Sequence, residues 1–170
     1  MSWDKELEEL RHREGLAEQM GGGEKVARQH SRGKMDARAR LAALVDPGSF
    51  REIGKIAGKA SYDEDGNLEH ILPAPFLFGK AEINGRPVVA TADDFTIRGG
   101  AADAGISRKM VQAEKMAHEL KLPIVRMIDG TGGGGSVKTL EQIGATYIPA
   151  VPGWSDVVKN LDTAPVVALA

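Results

Sequence analysis

The segment with the most chemical potential is a glycine run. Gly130-Thr131-Gly132-Gly133-Gly134-Gly135 places five glycines among six residues, and Ser136 follows directly. Before it stands Pro123-Ile124-Val125-Arg126-Met127-Ile128-Asp129, a mostly apolar stretch short enough for a buried strand. Ser136 is a suitable N-cap for a short helix running to about Ile143. A strand that opens through bare glycines into a helix start exposes peptide N–H groups with no Cβ in the way, and negative charge is stabilised there. Three anions fit: a nucleotide phosphate, a dinucleotide pyrophosphate, or the oxyanion or enolate formed from a thioester. A phosphate loop needs glycine before Lys-Ser/Thr, whereas Val137 precedes Lys138-Thr139. Gly130-Thr131-Gly132-Gly133-Gly134-Gly135 satisfies G-x-G-x-x-G, but a glycine run does so by accident, and the strand beginning at Pro165 carries no acid for a ribose. An oxyanion site needs only oriented N–H donors. A plain glycine turn remains the alternative without a ligand.

Other reactive side chains read as structural. The four histidines, His12, His30, His70 and His118, are widely separated and form no metal-binding spacing, so no protein-bound metal is expected. Asp93-Asp94 resembles a carboxylate pair, but neighbouring strand residues point to opposite faces, so these are expected to be turn and capping acids. Ser136 lacks the G-x-S-x-G surroundings of a nucleophile.

The elements that must position the run alternate between strands and helices, which indicates an α/β fold. Residues 3–20 suit an exposed or docking helix, stopped by Gly21-Gly22-Gly23. Six Lys or Arg fall between Lys25 and Arg40, either as the polar side of a packed helix or as an anion site, and Met35, Leu41, Leu44 and Val45 give the second half an apolar stripe. Asn84-Gly85, between Phe76 to Ile83 and Pro87 to Thr91, predicts a β-hairpin because both turn positions need positive φ. Ile106, Met110, Ala113, Ala117 and Leu120 predict an amphipathic helix over 103–121, with Met110 in its core stripe. Another helix is expected near 153–161, then a buried strand over 165–170. Because no turn or polar tail follows that strand, the chain is expected to be cut within a domain.

The bulk numbers agree with a folded domain. At 170 residues, 42% hydrophobic and 27% charged, the chain is neither disordered nor fibrous. A net charge of −2 gives no general attraction to nucleic acid or an acidic membrane. With no cysteine, no apolar span of membrane length and a charged N-terminus, the expectation is a soluble cytoplasmic protein.

Several matches in order carry a family resemblance. Gly33-Lys34-Met35-Asp36-Ala37-Arg38-Ala39-Arg40-Leu41, then Leu44-Val45-Asp46-Pro47-Gly48-Ser49-Phe50, resembles the opening signature of the carboxyltransferase subunits of biotin-dependent acyl-CoA carboxylases, such as propionyl-CoA and methylcrotonyl-CoA carboxylase. Asn84-Gly85-Arg86-Pro87-Val88-Val89, running into Asp94-Phe95-Thr96-Ile97-Arg98-Gly99-Gly100, is similar as well. Where that family has Asp-Ser-Gly-Gly-Ala, this chain has a small insertion that leaves Gly134-Gly135-Ser136 over Gly-Gly-Ala. The resemblance implies a crotonase-like spiral of ββα units, incomplete here, with residues 1–48 as an N-terminal helical segment and 49–170 as the first part of the acyl-CoA-binding domain.

It further implies transfer of a carboxyl group from carboxybiotin to the α carbon of an acyl-CoA. Backbone donors around Gly134, Gly135 and Ser136 would stabilise the thioester enolate. Arg98, beside Gly99 and Gly100, could meet a CoA phosphate as a charge-assisted donor or close a surface salt bridge. The implied partners are a biotin carboxylase and biotin carrier subunit and further copies of the chain. Two other readings stay open: a crotonase-type hydratase or isomerase with Glu141 as the base, and a non-catalytic assembly subunit.

Overall fold

The computed structural model describes residues 2–100, 107–130 and 154–170. Its frame is a five-stranded mixed sheet formed, in spatial order, by β1 (Arg51–Glu52), β4 (Phe76–Ile83), β5 (Arg86–Asp93), β6 (Ile124–Met127) and β7 (Val166–Leu169). β1, β4 and β5 pair antiparallel, and β5, β6 and β7 pair parallel. The expected hairpin joins β4 to β5. Asn84 and Gly85 take φ 52° and 71°, and the Asp46 carboxylate accepts from both of their N–H groups at 2.9 and 2.7 Å.

Parallel pairing requires long crossovers, and two helices supply them. α4 (Ser107–Leu120) lies between β5 and β6, and α5 (Trp154–Leu161) lies between β6 and β7. The N-terminal part holds α1 (Asp4–Glu18), α2 (Gly23–Ser31) and α3 (Ala37–Leu44). Asp36 caps α3 by accepting from the Ala39 N–H at 2.8 Å, and burial would raise its pKa were it not outweighed by that N–H and by His30, which hold it low.

Alternation along the strands sends side chains to two cores. Leu77, Ala81, Val88, Ala90 and Ala92 meet Ala37, Leu41 and Val45 of the α3 region on one face. Phe76, Phe78, Val89 and Ile124 meet Ala113 and Ala117 of α4 on the other. The sheet is thus covered on both faces across its centre.

Three expectations need correction. Met110 is 42% exposed and Leu120 48%, so neither lies in the core stripe of α4. Ala113 and Ala117 of the expected stripe are both fully buried and seat the helix, because small side chains allow close approach to the sheet, and Lys109 and Met116 turn inward beside them. Met35 is 53% exposed, while Leu41 and Val45 of the same expected stripe are buried. The final strand, expected to be buried, exposes Val167 and Leu169.

A second sheet, β2 (Gly58–Tyr62) with β3 (Leu68–Pro73), has no counterpart in the sequence reading. Its turn is closed by Asp63, whose carboxylate accepts from the N–H groups of Asp65 and Asn67 at 3.0 and 2.8 Å. Among the described residues no helix is long and apolar enough to cross a membrane.

Candidate functional site at the carboxyl ends of β5 and β6

In open α/β sheets, ligands collect outside the carboxyl ends of parallel strands. β5 and β6 run side by side with Thr91 opposite Arg126 and Ala92 opposite Met127, so they release their following segments at the same edge. After β5 comes Asp93 to Gly100, and after β6 come Ile128, Asp129 and Gly130.

The first segment is tightly wound. Asp94 is fully buried, and its Oδ1 accepts from the Thr96 N–H at 2.9 Å and the Thr96 hydroxyl at 2.6 Å. Burial pushes the Asp94 carboxyl up, against those two donors. Ile97 is buried and anchors the loop. Arg98, Gly99 and Gly100 then take φ 52°, 67° and 71°, three consecutive left-handed residues closed by Gly100 N–H donating to the Ile97 carbonyl at 3.0 Å. Glycine adopts this conformation freely, whereas a side chain at φ near +60° costs about 1–2 kcal/mol. Arg98 is therefore held in a strained backbone at an exposed edge, an arrangement that clusters at functional sites.

The two segments touch. A Cβ on Gly100 would lie 2.5 Å from the Asp129 carbonyl oxygen and 3.1 Å from Gly130 Cα, so only glycine permits this approach. Asp93 adds a second link, its Oδ2 accepting from the Asp129 N–H at 3.2 Å. Burial pushes the Asp93 carboxyl up, while the Asp129 N–H and Arg40 oppose that.

Asp129 also gathers the basic tract. Gln29 Nε2 donates to its Oδ2 at 3.1 Å, Lys34 Nζ lies 3.4 Å from Oδ1, and Arg40 Nη2 lies 3.8 Å from Oδ2. Arg40 also donates to the Asp93 carbonyl. Lys34 Nζ stands 5.5 Å above the Phe95 ring, and Gly21 N–H donates to the Thr96 hydroxyl at 3.0 Å. Arg38 of the same tract turns to Glu52 at 2.9 Å. Glu52 lies 3.7 Å from Lys109 Nζ as well, and burial pushes the Lys109 amine down to about 8.

Of the expected site residues, Arg98, Gly99 and Gly100 stand at this edge. Gly134, Gly135, Ser136 and Glu141 lie outside the described residues. Asp93 and Asp94 are turn acids as expected, each with its own donors. Among the described residues no cluster of His, Cys, Asp or Glu could hold a metal. Sequence reasoning missed the gathering of Gln29, Lys34 and Arg40 on Asp129, and its one hint was the density of cations between Lys25 and Arg40.

Residues 28–151, more than half of the chain, match the family model described as Carboxyl transferase domain. The chain is 32% identical over 133 residues to the propionyl-CoA carboxylase carboxyltransferase subunit of Haloferax mediterranei, covering 78% of this chain and 26% of that protein. It is 36% identical over 127 residues to the methylmalonyl-CoA carboxyltransferase 12S subunit of Propionibacterium freudenreichii subsp. shermanii, covering 74% and 24%. The crystal structure of a transcarboxylase 12S hexamer with methylmalonyl-coenzyme A bound superposes with a TM-score of 0.67 at 26% identity, covering 96% of this chain and 29% of that one. The chain thus spans about a quarter of the length of these curated relatives. The strand ends, the Arg98-Gly99-Gly100 turn and most of the basic tract all fall within the matched segment, and with them the chain belongs to the carboxyl transferase domain family.

Proposed function

We propose that this chain supplies the first part of the acyl-CoA-binding domain of a biotin-dependent acyl-CoA carboxyltransferase, built as a crotonase-like spiral of ββα units. Residues 1–48 form its helical lead and 49–170 the start of the domain. The observation that carries the reading is the contact of Gly100 with Asp129 and Gly130, which brings the left-handed turn and the start of the glycine run to one edge of the sheet.

The work of this edge is electrostatic. The Cα proton of a thioester becomes acidic enough to leave only if the developing enolate oxygen is stabilised more than the ground-state carbonyl. N–H groups around Gly134, Gly135 and Ser136 are the proposed donors, and one such donor contributes about 2.7–4 kcal/mol in the transition state. Arg98 offers a charge-assisted bond to a CoA phosphate from the exposed turn that it shares with Gly99 and Gly100. When bound, carboxybiotin supplies the carboxyl group and accepts the proton. That division of labour asks no side-chain base of this edge, where Gln29, Lys34 and Arg40 engage the Asp129 carboxylate. A biotin carboxylase and carrier subunit and further copies of the chain are the proposed partners, in the cytoplasm.

Calorimetric titration of the carboxyltransferase that carries this chain tests the reading. Propionyl-CoA or acetyl-CoA should bind, more weakly at high salt as exposed charges are screened, while NAD and ATP should not. Binding of NAD without CoA affinity would replace this reading by a dinucleotide site.

A further inference from the structure

Three side chains from the N-terminal region converge on one carboxylate across a long stretch of sequence. Gln29 and Lys34 reach Asp129 from 100 and 95 residues away, and Arg40 joins them at 3.8 Å. Asp129 is held on its other sides as well. Its N–H donates to Asp93, and its carbonyl packs against Gly100. The carboxylate is only 16% exposed, so it is a packed junction. A second grip lies across the edge, where Gly21 binds Thr96 and Lys34 covers Phe95.

The residue after Asp129 is Gly130, the first of a run that carries almost no side chains. Glycines cannot restrict their own backbone, so the direction in which the run leaves the sheet must be set by the last residue with a side chain that can be gripped. We propose that the segment from Gly21 to Arg40 is a clasp that holds the start of the glycine run through Asp129, and that Asp129 is a positioning residue for carboxyl transfer. The clasp itself rests on the fold. Its kinetic consequence rests on the carboxyltransferase reading, because oxyanion donors displaced by about 1 Å lose on the order of 100-fold in rate.

A reversal of the Gln29–Asp129 bond provides the test. Gln29→Glu sets a second carboxylate against Asp129, and Asp129→Asn removes the charge that draws Lys34 and Arg40. Together, Q29E and D129N restore the bond with its polarity reversed, the new amide at position 129 donating to the new carboxylate at position 29, and leave one negative charge near both cations. In the carboxyltransferase that carries this chain, each single change should lower kcat by about 10–100-fold with KM within about 2-fold. The double variant should return to within about 3-fold of the parent. Lys34→Ala, at a side chain 57% exposed and so without risk to folding, should give a smaller loss of kcat in the same direction.

Hydrogen exchange over residues 124–130 provides a second readout that needs no substrate. Exchange should quicken in each single variant and slow again in the double. A double variant no better than its poorer parent, or single variants with unchanged exchange, would overturn the clasp. Exchange behaving as expected in a protein that neither binds acyl-CoA nor transfers a carboxyl group would instead overturn the functional reading and leave the clasp standing. A fall in melting temperature in every variant, with kcat unmoved, would reduce Asp129 to a purely structural role.

Discussion

Replacing Gly100 by Ala tests whether the segments after β5 and β6 meet. Two costs should add at this position. An L side chain at φ 71° costs about 1–2 kcal/mol. The new Cβ would also stand 2.5 Å from the Asp129 carbonyl oxygen, a backbone atom that cannot swing aside, and overpacking of this kind costs about 1–3 kcal/mol. The total is about 2–5 kcal/mol. Gly85 supplies the internal control, because it has the same φ of 71° with nothing within 4 Å of its added Cβ. Gly85→Ala should therefore cost only the first term, about 1–2 kcal/mol. At about 2–4 °C per kcal/mol for a chain of this size, thermal melts followed by circular dichroism should fall by about 2–8 °C for Gly85→Ala and about 4–20 °C for Gly100→Ala. Equal shifts would refute the steric term, and with it the contact on which the functional reading rests.

Two further changes probe the interior. Lys109 shares Glu52 with Arg38, so Lys109→Met leaves Glu52 one cation rather than none. The fall of the Lys109 pKa from 10.5 to about 8 by burial corresponds to about 3 kcal/mol against the ionised form, and the variant should gain up to that amount at pH 7. Between about pH 8 and 10.5 the unfolded chain binds more protons than the folded one at this site, so parent stability should rise with pH across that window and the variant should lose the rise. Urea midpoints at pH 7 and about 9.5 decide it, and a variant that unfolds at lower urea at pH 7 would count against it. Asn160 is fully buried and its amide donates to the Glu114 carbonyl at 3.0 Å and to Glu114 Oε2 at 2.6 Å, tying α5 to α4. Asn160→Leu should cost about 1–3 kcal/mol and speed hydrogen exchange in 154–161, whereas a neutral substitution would mean that the tie contributes nothing.

What could be read from the sequence divides along a physical line. Asn84-Gly85 was legible because positive φ at two successive positions restricts residue type, and the same restriction makes Gly99-Gly100 stand out beside Arg98. The alternation of strands and helices was legible because burial on one face imposes a period. The face of α4 was misread because two stripes share Ala113 and Ala117. Period alone favoured the larger Met110 and Leu120, whereas close approach to the sheet turned Lys109 and Met116 inward. A lysine in that position gives no sequence signal until Glu52 is known to face it. The β2 strand was missed because all five of its residues are exposed and so carry no alternation. The grip on Asp129 belongs to the same class, since pairs 95 and 100 residues apart have no spacing rule and depend on where the fold carries α2. A basic tract in a sequence therefore states only that charge must be answered. Here Arg38, Lys34 and Arg40 meet Glu52 and Asp129, so an incoming CoA phosphate would have to displace carboxylates already in place. Displacing those of Asp129 would also release the strand ends that the same cations hold together, and for that reason Lys34 and Arg40 are better suited to shaping the edge than to receiving the ligand.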